Sequence, residues 1–234
     1  MTPESDRRAR LEWFRDARFG LFAHWGIYSP PGRGEQVFCR DAIPLSEYDA
    51  WADDFRPPEG WAERLAAAAV EAGARYMVHT TRHHDGFCLF DTATQDFNSA
   101  KRGPKRDLVA EFVAAARAAG LRAGLYYSLL NWRWHAYWDP AGYESEFPAM
   151  VEEVHAQVRE LTSNYGKIDV LWYDGGMVPG SVAHGMWEEN PIGVNPADFF
   201  RSAELNAMVR ELQPDILINN RAGIPEDFGT PEQR

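Results

Sequence analysis

Cysteine is scarce in this sequence: Cys39 and Cys88 are the only two among 234 residues, and neither belongs to a Cys-x-x-Cys pair. We therefore expect neither a disulfide framework nor a cysteine-ligated zinc site. No run approaches the roughly 20 apolar residues that span a bilayer, and the first residues lack the apolar core of a secretory signal. These absences favour a reducing compartment, and we expect a cytoplasmic location and no membrane partner.

Basic residues are also in short supply, since 24 Lys and Arg against 35 Asp and Glu give a formal net charge of -11. Such a chain repels phosphate backbones, so nucleic acid is not an expected partner. Glycine-rich phosphate loops are absent, and no His-x-x-x-His pair falls on a predicted helix. We expect a small-molecule or oligosaccharide substrate and neither a metal nor an organic cofactor, and we leave a homo-oligomer open.

What the chain does have is an alternation of short apolar runs with longer segments whose apolar residues recur near helical spacing. This alternation is typical of a parallel sheet with crossover helices. Strands are predicted at residues 19–24, 76–80, 122–128, 168–174 and 216–220, and helices at 61–72, 107–119, 143–165 and 196–212. No linker interrupts the pattern, so residues 1–234 are predicted to form a single domain.

Polar side chains fall at the carboxyl ends of the predicted strands, among them His24, His83 and Asp174. In a barrel these ends converge on one mouth, whereas an open doubly wound sheet would scatter most of them along an edge. We therefore predict an α/β fold of the TIM-type (β/α)8 class. Five to six βα units do not close eight strands, so the barrel is expected to be truncated at its C-terminus.

The strand at 168–174 ends in Asp174, which Gly175 and Gly176 follow. A strand fixes a carboxylate more tightly than a loop does, and glycines leave room for a substrate ring, so this aspartate is a candidate nucleophile. The same residue would also serve as a helix N-cap in a βα turn, and the strand alone leaves both interpretations open.

Histidines beside aromatic residues suit a sugar, because its hydroxyls need hydrogen-bond partners and its C–H faces pack on rings. His24 precedes Trp25, and His83 and His84 lie shortly before Phe87. Each histidine taken singly is more often a core residue. A metal site built from these histidines and an aspartate is a less favoured alternative.

Several segments occur together in a distinctive order. They are Trp13-Phe14 with residues 19–26, then 76–80 with 83–87, then 124–128, then 171–175, and finally Asn220-Arg221 with Asp227-Phe228. In combination they resemble glycoside hydrolase family twenty-nine, the α-L-fucosidases, from about Trp13 to the last residue. The resemblance implies a retaining glycosidase that releases terminal α-L-fucose from oligosaccharides or glycoconjugates.

The resemblance also implies roles for individual residues. Asp174 would be the nucleophile and Glu232 the acid/base, with Glu226 as the alternative. The implied sugar-binding residues are His24, Trp25, Glu35, His83, His84, Tyr126, Tyr127, Trp172 and Arg221, and the choice between the two tyrosines stays open.

The sequence also departs from the family pattern. Gln36 stands where an aromatic residue often follows the loop glutamate. Family members usually complete the barrel and add a C-terminal β-sandwich, and the sequence predicts neither here. A fucose-binding or inactive truncated barrel is therefore kept as the alternative function, and a metal-dependent hydrolase is less favoured.

Overall fold

The computed structural model of the chain describes residues 4–183, 186–187 and 192–231. One parallel sheet contains, in order, β1 (Gly20–Ala23), β2 (Tyr76–Arg82), β3 (Arg122–Ser128), β4 (Val170–Asp174) and β7 (Leu217–Ile218). A separate antiparallel pair is formed by β5 (Val182–Ala183) and β6 (Met186–Trp187). The predicted α/β class is confirmed. The described strands of the sheet follow chain order without the reversal of a doubly wound sheet.

Helices connect the strands of the sheet. They are α4 (Trp61–Glu71), α5 (Leu108–Ala118), α6 (Phe147–Ser163) and α8 (Ser202–Leu212), each close to a predicted segment. Further helices are α1 (Glu4–Ala17), α2 (Val37–Arg40), α3 (Leu45–Asp54) and α7 (Pro196–Phe199), with 3-10 turns at His135–Tyr137, Glu144–Glu146 and Asn220–Ala222. Within the described ranges no helix combines the length and apolarity needed to cross a bilayer.

The helix predicted from Asp107 begins and ends for local reasons. The Asp107 side chain accepts a hydrogen bond of 2.8 Å from the backbone N–H of Ala110, as an N-cap does. Gly120, just beyond the C-cap, has φ of +74°, a left-handed conformation that glycine adopts without a steric penalty. The helix predicted at 107–119 is therefore confirmed, with an N-cap at one end and a left-handed glycine just beyond the other.

The segment predicted as one helix at 196–212 is two helices, because Arg201 interrupts it with φ of +49°. The His155 ring lies beside this break, and its Nε2 is 2.9 Å from the Phe200 carbonyl oxygen. That carbonyl is bonded to α6 instead of continuing a helical ladder. A contact from a distant helix therefore accompanies the break, and a local pattern does not contain it.

The two faces of the sheet pack against different elements. Side chains alternate between the faces along each strand. On the outer face, Leu125 and Leu171 join the main core with residues of α5, α6 and α8. On the inner face, Val170 and Leu217 pack with Leu11 of α1 in a separate cluster. The N-terminal helix therefore covers part of the inner face.

Polar and aromatic contacts hold α1 against the segment that follows β7. Arg10 donates a hydrogen bond of 3.0 Å from Nη2 to Oδ1 of the buried Asp227. The other carboxylate oxygen of Asp227 accepts from the backbone N–H of Ile218 at 2.9 Å. The rings of Phe14 and Phe228 have centroids 5.1 Å apart. The two ends of the described chain therefore pack together.

Candidate active site

Asp174 occupies the last position of β4, opposite Ser128 of β3 in the parallel register. Its Oδ2 accepts a hydrogen bond of 2.7 Å from the Tyr126 hydroxyl, and its Oδ1 forms a 2.7 Å ion pair with Nη1 of Arg221. The side chain is 20% exposed. Its oxygens therefore bind side chains of neighbouring elements at a solvent-accessible position, which favours the functional interpretation over the helix cap.

The surroundings of Asp174 decide its ionisation. Burial alone would raise the pKa of its carboxyl group, but the positive charge of protonated His84, the Tyr126 hydroxyl and Arg221 together lower the pKa below its usual value. The carboxylate is therefore ionised at neutral pH. An ionised carboxylate with an accessible edge meets the first requirement for a nucleophile.

Three histidine rings cluster around this carboxylate. Nε2 of His84 is 3.8 Å from Oδ2 of Asp174, and the ring centroids of His83 and His84 are 4.1 Å apart. The His24 ring is 4.9 Å from that of His83 and 4.6 Å from that of Tyr126. Burial lowers the pKa of His84 to about 4 and that of His83 well below its usual value. Near neutral pH the rings of His83 and His84 are therefore neutral, and each ring has one nitrogen that donates a hydrogen bond and one that accepts.

An aromatic surface lies beside the histidines. The half-buried ring of Trp172 has its centroid 5.0 Å from that of Phe22 and 5.3 Å from that of Phe228. Phe22 also contacts the Tyr126 ring, at 5.9 Å, and its side chain is exposed. Residue-by-residue reading of the sequence missed Phe22, although it stands two positions before His24 in the strand predicted at 19–24 and would therefore share its face.

Two predicted sugar-binding residues lie elsewhere. The Trp25 ring packs against Trp61 and Phe55, with centroids at 4.6 and 5.0 Å, and so belongs to the contact between β1 and α4. The Tyr127 hydroxyl donates to Gln157 at 2.9 Å on the outer face. Of the two tyrosines that the sequence left open, Tyr126 is the one beside Asp174.

The predicted glutamates fall in different environments. Burial lowers the pKa of His24, and Glu35 lies close enough to that ring for its negative charge to oppose the shift. Glu226 accepts from Nδ2 of Asn206 at 2.9 Å and forms a 2.9 Å ion pair with Arg210, so α8 holds it. Glu232 lies outside the described residues.

Thr230 stands two positions before Glu232, and its hydroxyl oxygen accepts a 2.6 Å hydrogen bond from Nε of Arg221. Because Arg221 is also paired with Asp174, the chain approaches the carboxylate at this point. The contact between this threonine and Arg221 is not visible in a local sequence pattern.

The two glycines after Asp174 make room for atoms of the protein itself. Gly175 has φ of +61°, and a Cβ there would lie 3.1 Å from Cε1 of His84. A Cβ on Gly176 would lie 2.1 Å from the backbone carbonyl oxygen of Arg221. The sequence suggested space for a substrate, whereas these positions allow β4, His84 and Arg221 to pack closely.

A metal ion is the other ligand to consider here. Donor atoms of His83, His84 and Asp174 lie within 4.8 Å of one another, a spacing that could suit a cation. However, Arg221 is ion-paired with the same carboxylate and holds a fixed positive charge beside it. Electrostatic repulsion between that charge and a metal ion favours a neutral ligand.

Comparisons with known proteins identify the family of the chain. The Alpha-L-fucosidase family model matches residues 2–234. The tissue alpha-L-fucosidase of Rattus norvegicus is 32% identical over 247 residues, a match that covers 94% of this chain and 49% of the relative. The corresponding enzyme of Bos taurus is 30% identical, and the match covers 94% of this chain and 48% of the relative. The chain thus spans about half the length of these curated relatives.

Solved structures of α-L-fucosidases are also similar to this chain. Alpha-L-fucosidase isoenzyme 1 from Paenibacillus thiaminolyticus aligns with a TM-score of 0.82 at 38% identity, covering 98% of this chain and 56% of that one. Alpha-L-fucosidase AlfC from Lactobacillus casei, solved in complex with its alpha-L-fucose product, aligns with a TM-score of 0.73 at 29% identity, covering 92% and 71%. Taken with the match across the sequence, these similarities establish that the chain belongs to the α-L-fucosidase family.

Proposed function

We propose that the protein is a retaining α-L-fucosidase that releases terminal fucose from fucosylated glycans without a metal or organic cofactor. The observation that carries this proposal is the ionised carboxylate of Asp174, bordered by the neutral rings of His83 and His84 and by the aromatic ring of Trp172. The family and the fucose complex of a structural relative support fucose as the sugar.

The residues suggest a double displacement. The sugar places an apolar face on Trp172, and its hydroxyls bind His24, His83 and His84. The Asp174 carboxylate attacks the anomeric carbon, the bond to the leaving-group oxygen breaks, and an acid supplies the proton to that oxygen. Water then attacks the anomeric carbon of the resulting ester and gives a proton to the acid/base, which lost its own proton in the first step. The bond to Asp174 breaks, so that fucose leaves and the carboxylate is regenerated.

For the acid/base we favour Glu232 over Glu226. Thr230, two residues before Glu232, is bonded to Arg221, which brings the preceding backbone toward the nucleophile. A retaining pair requires carboxyl groups roughly 5–5.5 Å apart, which a position this near in sequence can meet. Glu226 is instead held by Arg210 and Asn206.

We further infer that the parallel sheet belongs to a TIM-type (β/α)8 catalytic domain. Its strand order follows the chain, and Asp174 and His84 lie at or just after the carboxyl ends of β4 and β2, where TIM barrels carry their sites. The cytoplasmic location remains a prediction.

The test is replacement of the nucleophile. Asp174→Gly should lower hydrolysis of an aryl α-L-fucoside to below about one-thousandth of the original rate. Added azide, which fits the space of the lost carboxylate, should restore turnover and form a fucosyl azide of inverted configuration. Near-normal hydrolysis by this variant would exclude Asp174 as the nucleophile.

Asp215→Asn is a matched control, because this exposed aspartate lies before β7 and away from the carboxyl ends of the strands, where Asp174 lies. It should retain the original rate. Calorimetry with fucose separates the alternative function: binding by the unaltered chain, without cleavage of the aryl fucoside, would identify a sugar-binding domain in place of an enzyme.

A further inference from the structure

Ser128 ends β3 and is fully buried beside the candidate nucleophile. Its hydroxyl oxygen makes two short contacts, 2.6 Å to Nδ1 of His84 and 2.7 Å to the backbone carbonyl oxygen of Leu130. The double displacement proposed above gives this serine no task. Its two contacts nevertheless determine where the hydrogen on the His84 ring must be.

A serine hydroxyl has one hydrogen to donate, and a carbonyl oxygen can only accept. The hydrogen of Ser128 therefore goes to Leu130. The 2.6 Å contact with His84 is then a hydrogen bond only if Nδ1 of the ring donates to the serine oxygen. The opposite arrangement would leave the Leu130 carbonyl facing a lone pair at 2.7 Å.

The consequence appears on the other side of the ring. Burial lowers the pKa of His84 to about 4, so near neutral pH the ring carries a single hydrogen. With that hydrogen on Nδ1, Nε2 is an acceptor, and it lies 3.8 Å from Oδ2 of Asp174, which is also an acceptor. Because Oδ2 already accepts from the Tyr126 hydroxyl, Nε2 is the acceptor to which a sugar hydroxyl beside the nucleophile can give its one hydrogen.

The surrounding structure holds Ser128 in place. Nη2 of the buried Arg82 donates to the Ser128 carbonyl oxygen at 2.7 Å. On the opposite side, a Cβ at Gly175 would lie 3.0 Å from the serine hydroxyl oxygen, so glycine is what allows this close approach. The serine therefore has little freedom to reorient.

We propose that Ser128 is a positioning residue that fixes His84 as the tautomer with hydrogen on Nδ1, so that Nε2 accepts a hydrogen bond from a sugar hydroxyl next to the nucleophile. The inference rests on the proposed function for the identity of the donor. It extends that function by assigning a direction to one substrate hydrogen bond.

Nitrogen NMR of protein with 15N-labelled histidine tests the tautomer without any catalytic assay. In the unaltered protein near pH 7, Nδ1 of His84 should show a directly bonded hydrogen, and Nε2 should resonate as an unprotonated ring nitrogen. His84→Gln identifies the signals by their loss. A directly bonded hydrogen on Nε2 of the unaltered protein would overturn the proposal, even if every variant failed to fold.

Ser128→Ala should reverse the pattern, because a hydrogen on Nε2 is then attracted to the Asp174 carboxylate at 3.8 Å. Ser128→Thr, which keeps the hydroxyl, should preserve the original pattern. An alanine variant that keeps its hydrogen on Nδ1 would also overturn the proposal.

Binding gives the second readout. Ser128→Ala should weaken fucose binding about tenfold, the usual scale of one hydrogen bond, and should raise KM more than it lowers kcat. If the protein proves not to hydrolyse fucosides, the NMR result still stands. Failure of the proposed function and failure of this inference are therefore distinguishable.

Discussion

At the residue scale, two different donors act on the same carboxylate. Tyr126 gives Asp174 a neutral hydrogen bond on one oxygen, and Arg221 gives a charged one on the other. Both stabilise the ionised form and so oppose the effect of burial on its pKa. The carboxylate of the proposed nucleophile is thus kept charged by groups that need not leave it when a sugar binds.

Removing one donor should shift the pH dependence of turnover. Tyr126→Phe deletes the hydroxyl bound to Oδ2 and raises the pKa of Asp174. Because the proposed double displacement needs this group ionised in the free protein, the acid limb of the kcat/KM profile should move to higher pH. Tyr173→Phe is the matched control. That buried tyrosine directly precedes Asp174 in the sequence, but its side chain faces the opposite side of β4. An acid limb that stays in place in Tyr126→Phe would contradict the assignment.

The sequence was informative about these residues to a limited depth. It predicted that Asp174, His24, His83 and His84 would meet, because parallel strands bring their carboxyl ends to one edge. It could not choose between the two tyrosines, since alternation states only that neighbours point in opposite directions. Trp25 follows the end of β1, where strand alternation no longer applies.

At the scale of elements, the sequence predicted all five strands of the parallel sheet but missed some of the connecting helices. β3 has the predicted limits, whereas β1 is shorter than expected at both ends. The sequence reading did not identify α1 or α3, and α3 has no side-chain hydrogen bond at its N-cap, Pro44. The break at Arg201 lies beside a contact with α6, which no local pattern contains.

The backbone that follows β4 passes close to the turn at Asn220–Ala222. Gly176→Ala would put a Cβ 2.1 Å from the Arg221 carbonyl oxygen, so the turn must move and the Arg221 guanidinium with it. We expect a loss of about 1–3 kcal/mol in the free energy of unfolding, measured by urea denaturation, together with weaker activity.

Gly229→Ala is the control for this effect. A Cβ there would meet only Nδ2 of Asn220, at an ordinary contact distance of 3.7 Å. Its stability should therefore stay within about 0.5 kcal/mol of the original protein. Equal losses in the two variants would show that the contact with the Arg221 carbonyl is not what requires glycine at position 176.

At the scale of the whole molecule, buried histidines make stability depend on pH. Burial lowers the pKa of His79 to about 3 and of His84 to about 4, and His83 is lowered as well. Unfolded histidine binds a proton below about pH 6.5, so between about pH 6.5 and 4 the unfolded state holds protons that the folded state does not. The free energy of unfolding therefore decreases as pH is lowered through this range. Asp85, whose pKa burial raises to about 6, acts in the opposite direction but is a single group.

We therefore expect Tm to decrease as pH is lowered from 6.5 to 4. His79→Phe places a neutral ring among the aromatic neighbours Trp25, Trp61 and Phe112. It should make this decrease shallower, because the pH slope of the free energy of unfolding is reduced by up to about 1.4 kcal/mol per pH unit. An unchanged slope in His79→Phe would mean that this histidine does not contribute.

The packing of α1 against the segment after β7 has a consequence for how the protein is made. Arg10 and Phe14 leave the ribosome early, but Asp227 and Phe228 are translated more than 200 residues later. During synthesis the apolar side of α1 cannot pack against these residues until they have been translated, after the intervening strands. Translation order therefore makes the seating of the N-terminal helix a late event, and a nascent chain halted before Asp227 would expose that side to chaperones.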